Sequence, residues 1–284
     1  MNNNLIEKTS LDLVSLASRG SLKERRAILD GIEEQMLQED QVEIPATETL
    51  HGGMYAREIF IPKGTMLTGK IHKFDHFDVM LSGDISVSTD TGEIKRLSGY
   101  HMMSGSAGKK RIGFAHEDTH WITFHSAPEE LGDKALDFLT CNTFDELEAF
   151  NVAMDRNDYS IMLTEIGMTE EEVRAQVDNT EDMHLEEMKS LGFVADSKIE
   201  GKGYFSHVDI EADCVISASR INGNRTEAGR FTNHSFNPNA MMVVNESGDA
   251  ILVAKKLILK DEEITVNYRE VLAHRVEKGD LCQG

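Results

Sequence analysis

The sequence predicts a mainly β protein with helical segments, in which a helical bridge joins two β-rich modules. Three observations predict this. Short runs alternating polar and apolar residues, punctuated by glycine turns, fill residues 46–128. The same texture returns over residues 193–270. Between them, and again at the start of the chain, apolar residues recur at helical spacing behind capping-box patterns. A period of two lines one face of a strand and a period near 3.6 lines one face of a helix, so the texture assigns the element type. A length of 284 residues suits about two domains.

Residues 1–45 read as a helical N-terminal arm. Ser21-Leu22-Lys23-Glu24 has the form of a capping box, and Leu29, Ile32 and Met36 follow at helical spacing. The arm is expected to pack on the next domain. Residues 46–128 read as a β-sandwich or barrel. Asp84-Ile85-Ser86-Val87-Ser88 alternates, and Thr89-Asp90-Thr91-Gly92 reads as a hairpin turn. Residues 129–192 form the bridge, with capping boxes at Thr143-Phe144-Asp145-Glu146 and Thr169-Glu170-Glu171-Glu172. Its stripes, Leu147, Phe150 and Met154, then Leu185, Met188 and Leu191, are core positions rather than cofactor contacts. From 193 to 270, Tyr204 to Ile210 alternates and Ala250 to Leu259 is an apolar run broken by Lys255 and Lys256. Ile264-Thr265-Val266-Asn267-Tyr268 closes the module as a β-prone run. Residues 271–284 form a C-terminal tail, helical and then frayed.

Composition narrows the function classes. Fifty acidic against 29 basic residues give a net charge of −21, with 40% hydrophobic residues. Such a surface repels nucleic acid and attracts a basic partner such as a lysine-rich peptide, although the charge also serves plain solubility. Cys141, Cys214 and Cys282 form no metal-ligand or disulfide spacing, which fits a reducing compartment. Met1-Asn2-Asn3-Asn4 opens no signal peptide, and no apolar run reaches membrane-spanning length. A cytoplasmic location without a membrane partner is expected, or the host cytoplasm for a phage-encoded chain.

The most informative stretch is Arg230-Phe231-Thr232-Asn233-His234-Ser235-Phe236-Asn237-Pro238-Asn239. Its short polar residues bond their own backbone, and Pro238 fixes its φ and restricts Asn237, so the stretch reads as a rigid loop that holds a ligand. Gly201-Lys202-Gly203-Tyr204 precedes a strand and lets backbone approach a ligand closely. Glu262-Glu263-Ile264-Thr265-Val266-Asn267-Tyr268 follows as a strand ending in tyrosine.

In this order and spacing, together with Arg220-Ile221-Asn222-Gly223-Asn224-Arg225-Thr226 and Ala254-Lys255-Lys256-Leu257-Ile258, these segments resemble the SET-domain protein lysine methyltransferases over roughly residues 193–270. The resemblance implies S-adenosylmethionine as methyl donor and a protein lysine as acceptor. It implies cofactor contacts from Lys202, Gly203, Tyr204, Arg230, Asn233 and His234, and Tyr268 as the catalytic tyrosine. It also implies a pseudoknot between the loop and the final strand, a rare departure from unthreaded topology. Tyr268 is expected to orient the amine, since a phenol of pKa about 10 is a poor base near neutrality. His234 is expected to position rather than titrate. Asn267 stands where many members carry an acidic residue, and Cys282 alone cannot build the zinc cluster that follows many histone-directed members. A C-terminal helix or a partner subunit would then close the peptide channel.

The first β module carries Gly64-x7-His72-x3-His76-x6-Gly83, then His116, His120 and His125. Equal parity places His72 and His76 on one strand face, and His116 and His120 likewise. With Val79-Met80-Leu81-Ser82-Gly83 and Ala115-His116-Glu117-Asp118-Thr119, residues 55–127 resemble the cupin jelly roll, including small cupin-like proteins of bacteriophages. Lys70 stands where that pattern has a histidine, His76 where it has a glutamate, and the later ligand position falls near Lys110 or Arg111. Two readings stay open: a divalent metal on His72, His76 and His116, or a degenerate jelly roll that serves homodimerisation or partner binding. For the whole chain the alternatives to a methyltransferase are an assembly protein with a scaffold SET-like module and a metal-dependent cupin enzyme.

Overall fold

A computed structural model describes residues 3–16, 22–89, 94–184 and 189–271. The expected hairpin turn at 90–92, Ser21 of the first capping box, Leu185 and Met188 of the second stripe, and the tail beyond Val271 lie outside the described residues. The chain divides into two compact units, Met1–Phe150 and Asn151–Gly284.

The first unit begins with helices α1 (Asn3–Leu16) and α2 (Leu22–Met36). Strands β1 (Ala46–His51), β2 (Met54–Ile61), β3 (Met66–Thr68), β4 (Ile71–His72), β5 (His76–Ser88), β6 (Ile94–Ser98), β7 (His101–Gly105) and β8 (Ile112–Ser126) follow. A 3-10 turn (Glu129–Lys134), α3 (Ala135–Leu139), β9 (Thr140–Cys141) and the start of α4 (Phe144–Ile166) complete it. The main sheet is antiparallel, in the order β1-β2-β8-β5-β6, with β3 on β8 and β7 on β5. The long strands β5 and β8 each serve two layers. The first half of β5 pairs with β7 and with the end of β8 (Phe77 opposite Phe124). Its second half pairs with β6 and with the start of β8 (Val87 opposite Gly113). The register breaks between Met80 and Ile85, and there Gly83 takes φ +112° against the Thr119 backbone, where a Cβ would collide. This bend folds the sheet over a core of Ile61, Met80, Ile85, Val87, Leu97, Ala115 and Trp121.

The N-terminal arm packs as expected. Leu29 and Ile32 join Val14, Ile71, Ile112, Cys141, Phe144 and Leu147 in a second buried cluster. Each such side chain contributes about 1.5–3 kcal/mol by leaving water. Lys110, buried in the same region, is satisfied by the Glu33 carboxylate of α2 at 2.5 Å.

The second unit contains the rest of α4, α5 (Glu170–Asp178), β10 (Gly192–Asp196), β11 (Lys202–Ser206), β12 (Val215–Ile221), β13 (Asn224–Arg225) and α6 (Glu227–Phe231). It continues with β14 (Asn233–His234), β15 (Ala240–Val244), β16 (Ala250–Ala254) and β17 (Glu263–Val266). The Thr169 capping box on α5 forms in full. At α4, Glu146 N–H donates to Thr143 while the Glu146 carboxylate reaches back to Asn142 N–H. Two four-stranded sheets, β10-β11-β17-β14 and β13-β12-β16-β15, enclose Tyr204, Ile210, Ile216, Leu252, Ile258, Ile264 and Val266. The apolar run from Ala250 stops as a strand at Ala254, where Lys255 and Lys256 turn the chain. β14 lies parallel to β17, with Asn233 opposite Thr265 and His234 opposite Val266. These are the two segments that the expected pseudoknot brings together, and its closing tail lies outside the described residues.

Gly229 fixes how closely α6 approaches β12. A Cβ there would run into the Ser219 carbonyl, a backbone atom that cannot swing away. Gly229→Ala is therefore expected to destabilise the protein by about 1–3 kcal/mol, read as a lowered urea midpoint. An unchanged midpoint would contradict this packing.

Candidate functional site

The three segments singled out in the second unit converge on one cavity of about 550 Å³. Its wall includes Tyr159 from α4, Arg174 and Val177 from α5, the turn Ile199–Lys202, Arg230, Asn233, His234 and Tyr268. That volume suits a ligand of cofactor size.

Asn233 is the fastener. Its Nδ2 lies 2.8 Å from Glu263 Oε1, 3.1 Å from Ser197 Oγ, and 3.2 and 3.3 Å from the carbonyls of Lys202 and Glu200. An amide nitrogen with two hydrogens thus ties the glycine turn to β17. Ser197 adds a hydroxyl to both oxygens of Glu263 at 2.8 and 2.9 Å. Burial raises the Glu263 carboxyl above its ordinary range, against the pull of Asn233 and Ser197. Gly203 makes the arrangement spatially feasible, because a side chain there would overlap the Glu263 carboxylate. Gly201, at φ +50°, turns the chain into β11.

His234 is 4% exposed, and its two ring nitrogens have separate partners. Nδ1 accepts the backbone N–H of Tyr268 at 3.2 Å, so Nε2 carries the proton and donates to Asp158 Oδ2 at 2.9 Å. Burial lowers the imidazole's pKa, outweighing the Asp158 carboxylate that pulls the other way. The ring bridges Asp158 of α4 and the backbone just beyond β17. Asp158 in turn accepts Arg269 at 2.8 Å, and Asp155 Oδ1 accepts the Phe236 backbone N–H at 3.0 Å. Burial pushes Asp158 up, but hydrogen bonds from Arg269 and His234 carry it below its ordinary value.

Tyr268 stands on the same wall and donates its hydroxyl to the Thr232 carbonyl at 3.0 Å. Burial, then the neighbouring Tyr159 and Glu263, raises its pKa well above 10, so the phenol stays protonated and serves as a hydrogen-bonding group. Arg230 lines the cavity with its guanidinium 5.2 Å from the Phe231 ring, and its buried Nε has no partner. A buried donor left unpaired beside a cavity fits an anionic group on a ligand. Lys202 also lines the cavity, with its ammonium on Asp196 at 2.6 Å.

Tyr204 follows Gly203 in β11. Its side chain, 2% exposed, sits in the core with its hydroxyl on Ser190, so its ring does not line the cavity. Lys202 and Tyr204 share parity in β11, but Lys202 opens the strand and is exposed, whereas Tyr204 lies between Val194 of β10 and Ile264 of β17 and is buried. Asp155, Asp158 and Arg269 carry no role in the sequence reading, because nothing in a helical stripe announces which acidic residue meets a distant loop.

A family model for the SET domain matches residues 53–269. The chain belongs to the SET-domain family. The matched span is much longer than residues 193–270, where the resemblance was placed. The matched span includes α4, whose Asp155 and Asp158 hold the Asn-His loop. No curated protein matches the sequence. Similar solved structures include a cupin superfamily protein from Desulfitobacterium hafniense, at 9% identity, covering 32% of this chain and 83% of that one, with TM-score 0.27. A cupin domain from Bordetella pertussis is 12% identical and covers 32% of this chain and 99% of that one, with TM-score 0.27. KdgF from Halomonas sp. is 17% identical and covers 34% and 93%, with TM-score 0.27.

The first unit holds a separate cavity of about 130 Å³. The structure corrects the histidine set expected there. His116 faces away, with Nε2 on Ser86 Oγ at 2.8 Å, and His125 takes its place beside His72 and His76. Parity does not carry across the β8 bend. Beyond it Trp121, Thr123 and His125 share the inward face, together with His76 and Asp78 of β5. His72 and His76 sit on different strands, joined by a turn that stacks their rings 3.9 Å apart. His120 faces Glu58 and stacks on Phe60. Among the described residues no helix is long and apolar enough to cross a membrane.

Proposed function

We propose that the second unit is a S-adenosylmethionine-dependent methyltransferase acting on a protein lysine. Family membership supports the reaction class, since SET domains commonly carry this activity. The observation that carries the reading is the convergence of Asn233, the Gly201 turn, Arg230 and Tyr268 on one cavity, with an unpaired Arg230 donor in its wall. Arg230 would take the cofactor's carboxylate, and Lys202 and the fastened turn would hold its remaining polar groups. When bound, the cofactor supplies an electrophilic methyl group, so that one N–C bond forms as one C–S bond breaks.

The chain's own residues position and exclude water. Asn233 holds the turn, and His234 with Asp158 and Arg269 sets the backbone at Tyr268. The protonated Tyr268 hydroxyl orients the incoming amine and does not remove its proton. That proton leaves to water before transfer, because only the neutral amine has the lone pair that accepts the methyl group. The chain's acidic field attracts a basic protein substrate. The reading is tested by transfer of an isotopically labelled methyl group from S-adenosylmethionine to lysine in a protein extract, located by mass spectrometry.

A further inference from the structure

The cavity of the first unit contains three imidazoles with few partners of their own. His72, His76 and His125 each place a ring nitrogen within 4.8 Å of the others, and their ring centroids are 3.9 to 5.0 Å apart. His76 and His125 are 6% and 3% exposed. His72 Nδ1 and His125 Nε2 are 2.9 Å apart, a hydrogen-bond distance that brings two ligating nitrogens side by side. Nδ1 of His125 is buried without a partner, a state that ordinary core histidines avoid.

His76 sharpens the case. Its Nδ1 lies 3.2 Å from the Phe74 carbonyl, which can only accept, so Nδ1 bears the proton. Its Nε2 lies 3.5 Å from Asp78 Oδ2. Asp78 is already an acceptor for Trp121, Thr123 and Arg111 at 3.1, 2.8 and 3.0 Å. The cluster of imidazoles thus has a buried carboxylate at its edge, a ready counter-charge for a bound cation. The carbonyl on His76 is also the partner that fixes the tautomer of a metal-bound imidazole.

We infer that the first unit binds one divalent first-row transition ion through His72, His76 and His125, with Asp78 as the neighbouring counter-charge. The cupin resemblance does not supply this ligand set, because Lys70 and the Lys110–Arg111 region occupy positions where that pattern has histidines. His125 comes from the end of β8 instead. Three imidazoles select zinc, cobalt or nickel over magnesium or calcium. They leave coordination open toward a wall that includes Arg57, Lys70, Lys109 and Arg111, which suits an anionic co-ligand in an otherwise acidic chain.

The test uses the full chain, stripped with chelator and titrated with Co²⁺ and then Zn²⁺, without S-adenosylmethionine, so its result is independent of the methyltransferase reading. The expected result is one Co²⁺ per chain with visible ligand-field absorption, displaced by one Zn²⁺, and a rise in Tm. His125→Gln and His72→Ala are expected to reduce binding at least about 100-fold while His116→Ala leaves it intact. Wild-type protein that binds neither ion at micromolar concentration overturns the inference, whatever the variants do. So does binding that survives His125→Gln in a protein with native circular dichroism.

Discussion

Asn233→Ala is expected to reduce S-adenosylmethionine affinity by about 30-fold or more and to lower stability by about 1–3 kcal/mol. The amide is the shared donor for Glu263, Ser197 and two carbonyls of the glycine turn. Its removal leaves a partly buried carboxylate and those carbonyls with fewer donors, and releases the turn from β17. Calorimetry reads the affinity and a urea melt reads the stability. Asn233→Asp is expected to be worse, since it places a second carboxylate against Glu263. Unchanged cofactor affinity in Asn233→Ala would mean that the turn is held by something else.

Tyr268→Phe is expected to lower kcat by about 100-fold while leaving cofactor affinity near that of the wild type. The lost hydrogen bond to the Thr232 carbonyl costs only about 1 kcal/mol of stability, so folding survives. The pH dependence separates orientation from base catalysis. Because the phenol stays protonated well above pH 10, the rise of rate between pH 7 and 10 reports the substrate amine, and the variant keeps the same profile at lower amplitude. Loss of an inflection in the variant would make Tyr268 a base after all. The stability effect has the matching sign. The folded-state pKa lies above the unfolded value of about 10, so Tyr268 contributes stability below pH 10 that is lost as pH rises through the folded value. Above pH 10 the variant's melt should fall less steeply than the wild type's.

The element types were legible because they rest on local periodicity and caps. The Thr169 box and the Leu29–Ile32 stripe need no long-range information. The Asn-His loop, the glycine turn and Tyr268 were legible as separate segments, and the cavity that joins them rests on β14 lying beside β17. What escaped was set by packing. Asp158 and Arg269 look like solvent-facing charges until a fold places them around His234. The expected metal set includes His116, whereas the structure groups His125, beyond the β8 bend, with His72 and His76. The alternation of Trp121, Thr123 and His125 was the usable signal, since a large aromatic marks the inward face. The resemblance implies a cofactor contact from Tyr204, and what packing adds is that its ring belongs to the core.

The central claim is a lysine methyltransferase built on the Asn233–Tyr268 cavity. Incubating the protein with a protein extract and S-adenosylmethionine carrying an isotopically labelled methyl group, followed by mass spectrometry of the digested products, tests it most directly. The expected result is labelled methyl-lysine on one or a few proteins, at a level that falls about 100-fold with Tyr268→Phe. No labelled lysine above a protein-free control would contradict it, as would label that is insensitive to both Asn233→Ala and Tyr268→Phe.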